Sequence, residues 1–184
     1  MEINDVYSHK DGEEYIKKFH PNELKEVFES VEKINIKQAL SKATHEKTKS
    51  SLLFSPINMN IQLKKFLSKK KWISKSINFE EQSNAFREID GLKNKVGLEI
   101  QFGKYAFMAY DIFSKMPIFK NRKLIDCGIE LVLSHSMIKH MSTGVSSFRQ
   151  IKLDIEARGV ADLDIPTLIL GFECSPADWD LVKK

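Results

Sequence analysis

Ala85-Phe86-Arg87-Glu88-Ile89-Asp90, Gly91-Leu92-Lys93-Asn94-Lys95 and Val96-Gly97-Leu98-Glu99-Ile100-Gln101-Phe102 follow one another in this chain and together spell a β-hairpin. Two extended runs flank a segment carrying glycine and asparagine, residues that turn the backbone at little cost. In the second run Leu98, Ile100 and Phe102 fall on one face and Glu99 and Gln101 on the other, because strand side chains alternate. The apolar face is expected to pack, leaving the polar face free for chemistry. Asp90 closes the first run, so hairpin geometry brings its carboxylate toward Glu99. Two carboxylates that close repel each other unless a cation lies between them. Mg²⁺ is the natural candidate, a hard ion that takes one or two carboxylates and fills its other positions with water and substrate phosphate. Such a site can activate water and stabilise an in-line displacement at phosphorus. The same residues also describe an ordinary half-exposed hairpin in which Asp90-Gly91 begins a turn.

Working outward, Tyr105, Met108, Ala109, Ile112, Phe113 and Met116 return to helical spacing, and Pro117 is expected to stop that helix. Gly128 to Leu133 reads as a strand, Ser134 to Gly144 as a polar loop, and Phe148, Ile151, Leu153 and Ile155 as a helix ending near Gly159. Ile165 to Gly171 is a final buried strand. Upstream, Pro21, Leu24, Val27, Phe28, Val31 and Ile34 give an amphipathic helix expected to run to about Ala43. Ser51 to Phe54 is a short apolar piece, and Pro56 opens a second helix through Ile57, Ile61, Leu63, Phe66 and Leu67. The order helix, helix, hairpin, helix, strand, helix, strand predicts an α/β fold with a mixed sheet flanked by helices.

With 184 residues and 42% of them hydrophobic, the chain can bury one sizeable core, and a single domain over residues 1–184 is expected. Lys and Arg number 29 against 25 Asp and Glu, a formal charge of +4, which permits a nucleic-acid partner without demanding one. The longest apolar stretch, Ile165 to Phe172, is far short of a membrane span. The N-terminus lacks the apolar run of a secretory signal, so a cytoplasmic location is the default expectation. Cys127 and Cys174 cannot build a disulfide framework or a cysteine-rich zinc site. Cys127, His135 and His140 match no zinc-ligand spacing. A Gly-x-Ser-x-Gly elbow, a phosphate-binding Gly-x-x-x-x-Gly-Lys and a dinucleotide Gly-x-Gly-x-x-Gly are all missing, so nothing supports serine hydrolysis or ATP- and NAD-linked chemistry.

The spacing Asp90, eight residues, Glu99-Ile100-Gln101 resembles the active-site signature of the BglII/BstYI-type restriction endonucleases, members of the PD-(D/E)xK nuclease group in which glutamine replaces the usual lysine. The likeness extends through Ser51-Leu52-Leu53-Phe54-Ser55-Pro56, Trp72, Ile89-Asp90, Phe102, Tyr105 and Phe107, and then to His140-Met141, Ser146-Ser147 and Ile165-Pro166 to Gly171. It spans roughly two-thirds of the chain. The resemblance implies a PD-(D/E)xK fold, with Asp90 and Glu99 as Mg²⁺ ligands and the carbonyl of Ile100 completing the protein's share. Gln101 then positions the attacking water or the scissile phosphate. It further implies a type II restriction endonuclease that cuts double-stranded DNA as a homodimer at a short palindrome, with a GATC centre as first guess and a cognate methyltransferase as partner. Departures from the family pattern bear on this picture. Gln101 is neutral, so another cation is needed to stabilise the transition state. Lys75 stands where the family has a polar active-site residue and is held as an assistant. Gly103-Lys104 replaces a small polar pair near the DNA.

The loop before Phe148 is rich in small polar residues, and base reading in the major groove uses such groups, whereas phosphate contacts fix position. Ser146, Ser147 and Arg149 are therefore candidates to approach DNA, alongside Lys75 and Lys104. A capped helix start with a solvated arginine explains Ser147 and Arg149 equally well. The lysines from Lys64 to Lys71, and Arg122 with Lys123, read first as solvated surface. Two rival classes stand beside the nuclease: a sequence-specific DNA-binding protein on the same scaffold that does not cleave, and a protein-interaction domain whose hairpin is only structural.

Overall fold

The computed structural model describes residues 1–42, 52–79, 86–103, 105–142 and 145–182. Its elements in chain order are β1 (Glu2–His9), α1 (Gly12–Phe19), α2 (Pro21–Glu32), α3 (Ile36–Ala39), β2 (Leu40–Lys42), β3 (Leu52–Phe54), α4 (Pro56–Lys69), β4 (Ile73–Asn78), β5 (Phe86–Lys93), β6 (Val96–Ile100) and α5 (Tyr105–Tyr110). A π-helical turn (Asp111–Lys115) leads into α6 (Met116–Asn121), β7 (Cys127–Leu133), a 3₁₀ turn (His135–His140), α7 (Phe148–Arg158), β8 (Thr167–Glu173) and α8 (Pro176–Val182). One sheet of six strands has the order β1-β8-β7-β6-β5-β4. Its middle pairs, β6 with β7 and β7 with β8, are parallel, and its flanking pairs are antiparallel. This is the mixed sheet flanked by helices expected from the sequence.

Parallel central strands are buried on both faces, and all of β6 and β7 is buried. On one face Val96, Leu98, Ile100, Ile129, Leu131, Leu168 and Leu170 pack with Ile16, Val27, Val31, Met59 and Leu63 from α1, α2 and α4. On the other, Val132 and Ile169 pack with Met108, Ile112, Phe148, Ile151 and Ile155, and Met116 and Phe119 pack with Ile77 and Ile89. Glu99 and Glu130 point to this second face, so the polar side of β6 is roofed by the α5–α6 helix rather than open to water.

Three expectations are corrected. The helix opening at Pro21 ends at Glu32, because Asn35 caps a separate short helix, its side chain accepting from the Gln38 N–H at 3.1 Å. The hairpin turn lies on Asn94-Lys95, with φ of 44° and 69°, so β5 runs past Asp90 and Asp90 sits within the strand rather than at its end. Left-handed backbone at both turn residues matches the twist of the flanking strands. Pro117 does not stop its helix. It lacks an N–H and its ring crowds the carbonyl one turn back, and the helix answers by widening into the π turn and continuing to Asn121. Gly128 lets that helix close on the sheet, since a Cβ there would lie 2.3 Å from Met116 Sδ.

Candidate active site

Asp90 and Glu99 come together through the β5–β6 hairpin. The ladder pairs Gly91 with Leu98, and one step further along that register sets Asp90 opposite Glu99. The backbone N–H of Ile100 donates to Asp90 Oδ2 at 3.0 Å, tying the first carboxylate to the second strand. Each carboxylate has its own lysine. Lys64 Nζ, from α4, lies 2.6 Å from Asp90 Oδ1, and Lys115 Nζ lies 2.9 Å from Glu99 Oε1. Lys115 also lies 2.6 Å from Asp111 Oδ1, one helical turn back along its own chain.

Gln101 is held at both ends of its carboxamide. Its Nε2 donates to Asp111 Oδ2 at 2.7 Å, and its Oε1 accepts from the Gly103 N–H at 2.8 Å. Those two bonds fix which end of the amide is which, since a carboxylate only accepts and an N–H only donates. Beside Ile100 and Gln101 opens a groove of about 230 Å³ lined by Pro56, Ile57, Asn60, Phe102 and Gly103.

The electrostatics are unbalanced. Glu99, Asp111 and Glu130 are 3%, 1% and 0% exposed, and Glu130 aligns with Glu99 in the β6–β7 ladder. Both Glu130 oxygens lack a hydrogen-bond partner. Burial, then the Asp111 charge, pushes Glu99 up to about 8 against the pull of Lys115. Burial likewise raises Asp111, and raises Glu130 well above the usual carboxylate range. Burial alone would lower Lys115, but Glu99 and Asp111 outweigh it and hold the ammonium charged. Perturbed carboxylates cluster at functional sites and also occur in structural ion-pair networks.

Among the described residues, no cluster of three or more histidine, cysteine, aspartate or glutamate side chains is arranged to hold a metal. Asp90 and Glu99 are carboxylates, the hard oxygen donors of which Mg²⁺ takes one or two. Asp90, Glu99 and the Ile100 carbonyl form an all-oxygen set of that size.

The other candidates fall as follows. Lys75 is exposed on β4, opposite Ile89, whereas the lysines that touch the site carboxylates are Lys64 and Lys115. Lys104 lies outside the described residues. Ser146 is buried and donates to the Gly103 carbonyl at 3.1 Å. Ser147 is buried as the N-cap of α7, in a capping box with Gln150, while Arg149 is exposed. Asp111, Lys115 and Glu130 escaped the sequence reading. Two signals could have found them: an Asp–Lys pair four residues apart in an otherwise apolar helix, and a glutamate inside the apolar run of β7.

Solved structures share this architecture. A crystal structure of restriction endonuclease BglII complexed with a DNA 16-mer matches with a TM-score of 0.79 and 18% identity, over 95% of this chain and 79% of that one. A crystal structure of free BglII matches with a TM-score of 0.66 and 20% identity, over 95% of this chain and 81% of that one. At such identity the likeness defines the fold, that of a restriction endonuclease. The profile of the restriction endonuclease BglII/BglIII family matches residues 4–172, and the chain belongs to that family, making it a type II site-specific deoxyribonuclease. No curated protein matches it.

Proposed function

We propose that this chain is a single-domain nuclease that hydrolyses both strands of duplex DNA at a short palindrome, with Mg²⁺ held by Asp90, Glu99 and the carbonyl of Ile100. The observation that carries this reading is the hairpin that sets the two carboxylates side by side, tied by the 3.0 Å bond from the Ile100 N–H to Asp90. When bound, the ion supplies a nucleophilic water at neutral pH and charge stabilisation for the phosphorane-like transition state. Gln101 orients the water or the scissile phosphate, its carboxamide already fixed at both ends. Lys64, half-exposed on α4, is free to move from Asp90 to a DNA phosphate.

A homodimer suits a two-fold symmetric target, each subunit cutting one strand. Ile57 and Ile61, 70% and 60% exposed and one turn apart on α4, offer an apolar stripe beside the groove for such an interface. Arg149, Lys75 and Lys104 are the proposed DNA contacts, with Ser146 and Ser147 shaping the α7 start that presents Arg149. A GATC-centred site, a cognate methyltransferase and a cytoplasmic location complete the reading. No helix among the described residues is long and apolar enough to cross a membrane.

The test is incubation of unmethylated phage DNA with the purified protein in Mg²⁺ or EDTA, beside Asp90→Asn, with sequencing of the fragment ends. Discrete fragments that need both Mg²⁺ and Asp90 are expected, and cleavage by the variant should fall by about 1,000-fold or more. Intact DNA that is nonetheless bound would replace the nuclease with the non-cleaving binder.

A further inference from the structure

Gln101 carries no charge, so the fixed positive charge of the site comes from another side chain. Two lysines touch the carboxylates. Lys64 is 45% exposed, a surface side chain reaching inward, whereas Lys115 is 14% exposed and lies between two buried acids. From Lys115 an unbroken chain of contacts runs through Asp111 to the Gln101 carboxamide and on to the Gly103 N–H. The π turn produces this arrangement. Such wide turns often sit at functional sites, and here one brings Asp111 and Lys115 to the sheet face that bears Glu99.

A pair kept only for stability would close its own charge balance. Lys115 instead faces Glu99, Asp111 and, on the adjoining strand, Glu130, whose two oxygens have no partner and no contact with water. One ammonium cannot balance three buried carboxylates, so the cluster must take up a proton or a further cation.

Building on the nuclease reading above, we propose that Asp111 and Lys115 are positioning residues of the cleavage reaction. Asp111 aims the Gln101 carboxamide, and Lys115 is the resident cation that holds Glu99 in place and with which an incoming divalent ion shares that carboxylate. Lys115 thus weakens metal binding while keeping the carboxylate and the amide in register, so its removal moves the two functions in opposite directions.

The experiment uses the full chain and the variants Lys115→Met, Lys115→Arg, Asp111→Leu and the double variant Lys115→Met/Asp111→Leu, leucine offering Gln101 no acceptor. It records kcat and KM for DNA with Mg²⁺ and, without DNA, the Ca²⁺ concentration giving half-maximal thermal stabilisation. Lys115→Met, Asp111→Leu and the double variant are expected to lose about 100-fold in kcat, with KM for DNA changed by less than about threefold. Lys115→Met is expected to lower the Ca²⁺ midpoint by about tenfold, because a unit charge within a few ångströms of the ion is gone. Lys115→Arg, which keeps the charge, should retain the wild-type midpoint. The double variant replaces the pair with neutral groups of similar shape and keeps the test valid where Lys115→Met alone fails to fold. A folded double variant that cuts within about threefold of wild type overturns the proposal. So does a Ca²⁺ midpoint unmoved in Lys115→Met, or wild-type protein that Ca²⁺ does not stabilise. If wild type leaves DNA intact, the nuclease reading falls by itself, and the Ca²⁺ midpoint alone decides the part played by Lys115.

Discussion

Two clusters of charge, each around a buried acid, flank the π turn, and they are built on opposite principles. On one side Asp164 takes both nitrogens of the Arg158 guanidinium at 2.6 and 2.9 Å, His9 at 3.0 Å and the Ala161 N–H at 2.8 Å. Despite the burial that would raise it, the hydrogen bond from Arg158 and its companions hold Asp164 down to about 2. Phe113, in the middle of the turn, lies under the same guanidinium at 4.0 Å. On the other side Glu99, Asp111 and Glu130 share one ammonium, Glu130 is orphaned, and Glu99 is pushed up to about 8. A satisfied network locks two chain segments together, whereas an unsatisfied one stores an affinity for cations and protons. The first ties the fold together, and the second is where we propose that the chemistry is done.

Breaking the satisfied cluster should carry the largest stability cost. Asp164→Ala leaves His9, Arg158 and the Ala161 N–H without their acceptor, and a loss of about 3 kcal/mol in urea unfolding is expected. The residual cleavage rate per folded molecule should stay at the wild-type level.

The same carboxylate gives a pH test with a definite sign. Its folded pKa lies below its ordinary value of 3.8, so its stabilisation is complete above about pH 4 and drains away as pH falls through about 2. Unfolding followed from pH 5 to pH 2 should show a loss of about 2 kcal/mol from this group. Asp164→Ala should lack that part of the slope.

Gly128→Ala probes how closely the π-turn helix sits on the sheet. The new methyl meets Met116 Sδ at 2.3 Å, the flexible part of a side chain, so only about 1 kcal/mol of stability should be lost. Met116 follows Lys115 directly, and the shift should slow cleavage by about tenfold. Equal loss of stability and no loss of rate would detach the helix position from the site.

Much of the site was legible because hairpin chemistry is local. Alternation in β6 and the Asp90 to Glu99 spacing placed two carboxylates on one edge before any tertiary contact was known. What escaped was non-local or weakly patterned. β1 and β4 are edge strands with few buried apolar residues, Ile77 being the one fully packed in β4, and they show no clean period of two. Asp111 and Lys115 occupy the polar positions of an amphipathic helix pattern, which normally face water. Pro117 widens the helix and the sheet closes over them, and no local rule encodes that meeting. Ser147 was readable as either a cap or a DNA contact, and its capping box with Gln150 accounts for its burial.

The claim that the unsatisfied cluster trades stability for function is tested most directly by thermal melts of wild type and Glu99→Gln at about pH 9, where Glu99 is ionised, in EDTA and in saturating Ca²⁺. Lys115 keeps Asp111 as its partner in the variant, so removing one excess charge should stabilise the metal-free fold. Glu99→Gln is predicted to melt about 2–4 °C above wild type in EDTA, corresponding to about 1 kcal/mol, to gain nothing from Ca²⁺ and to leave DNA uncut. A variant that melts below wild type in EDTA, or that responds to Ca²⁺ as wild type does, would contradict the account.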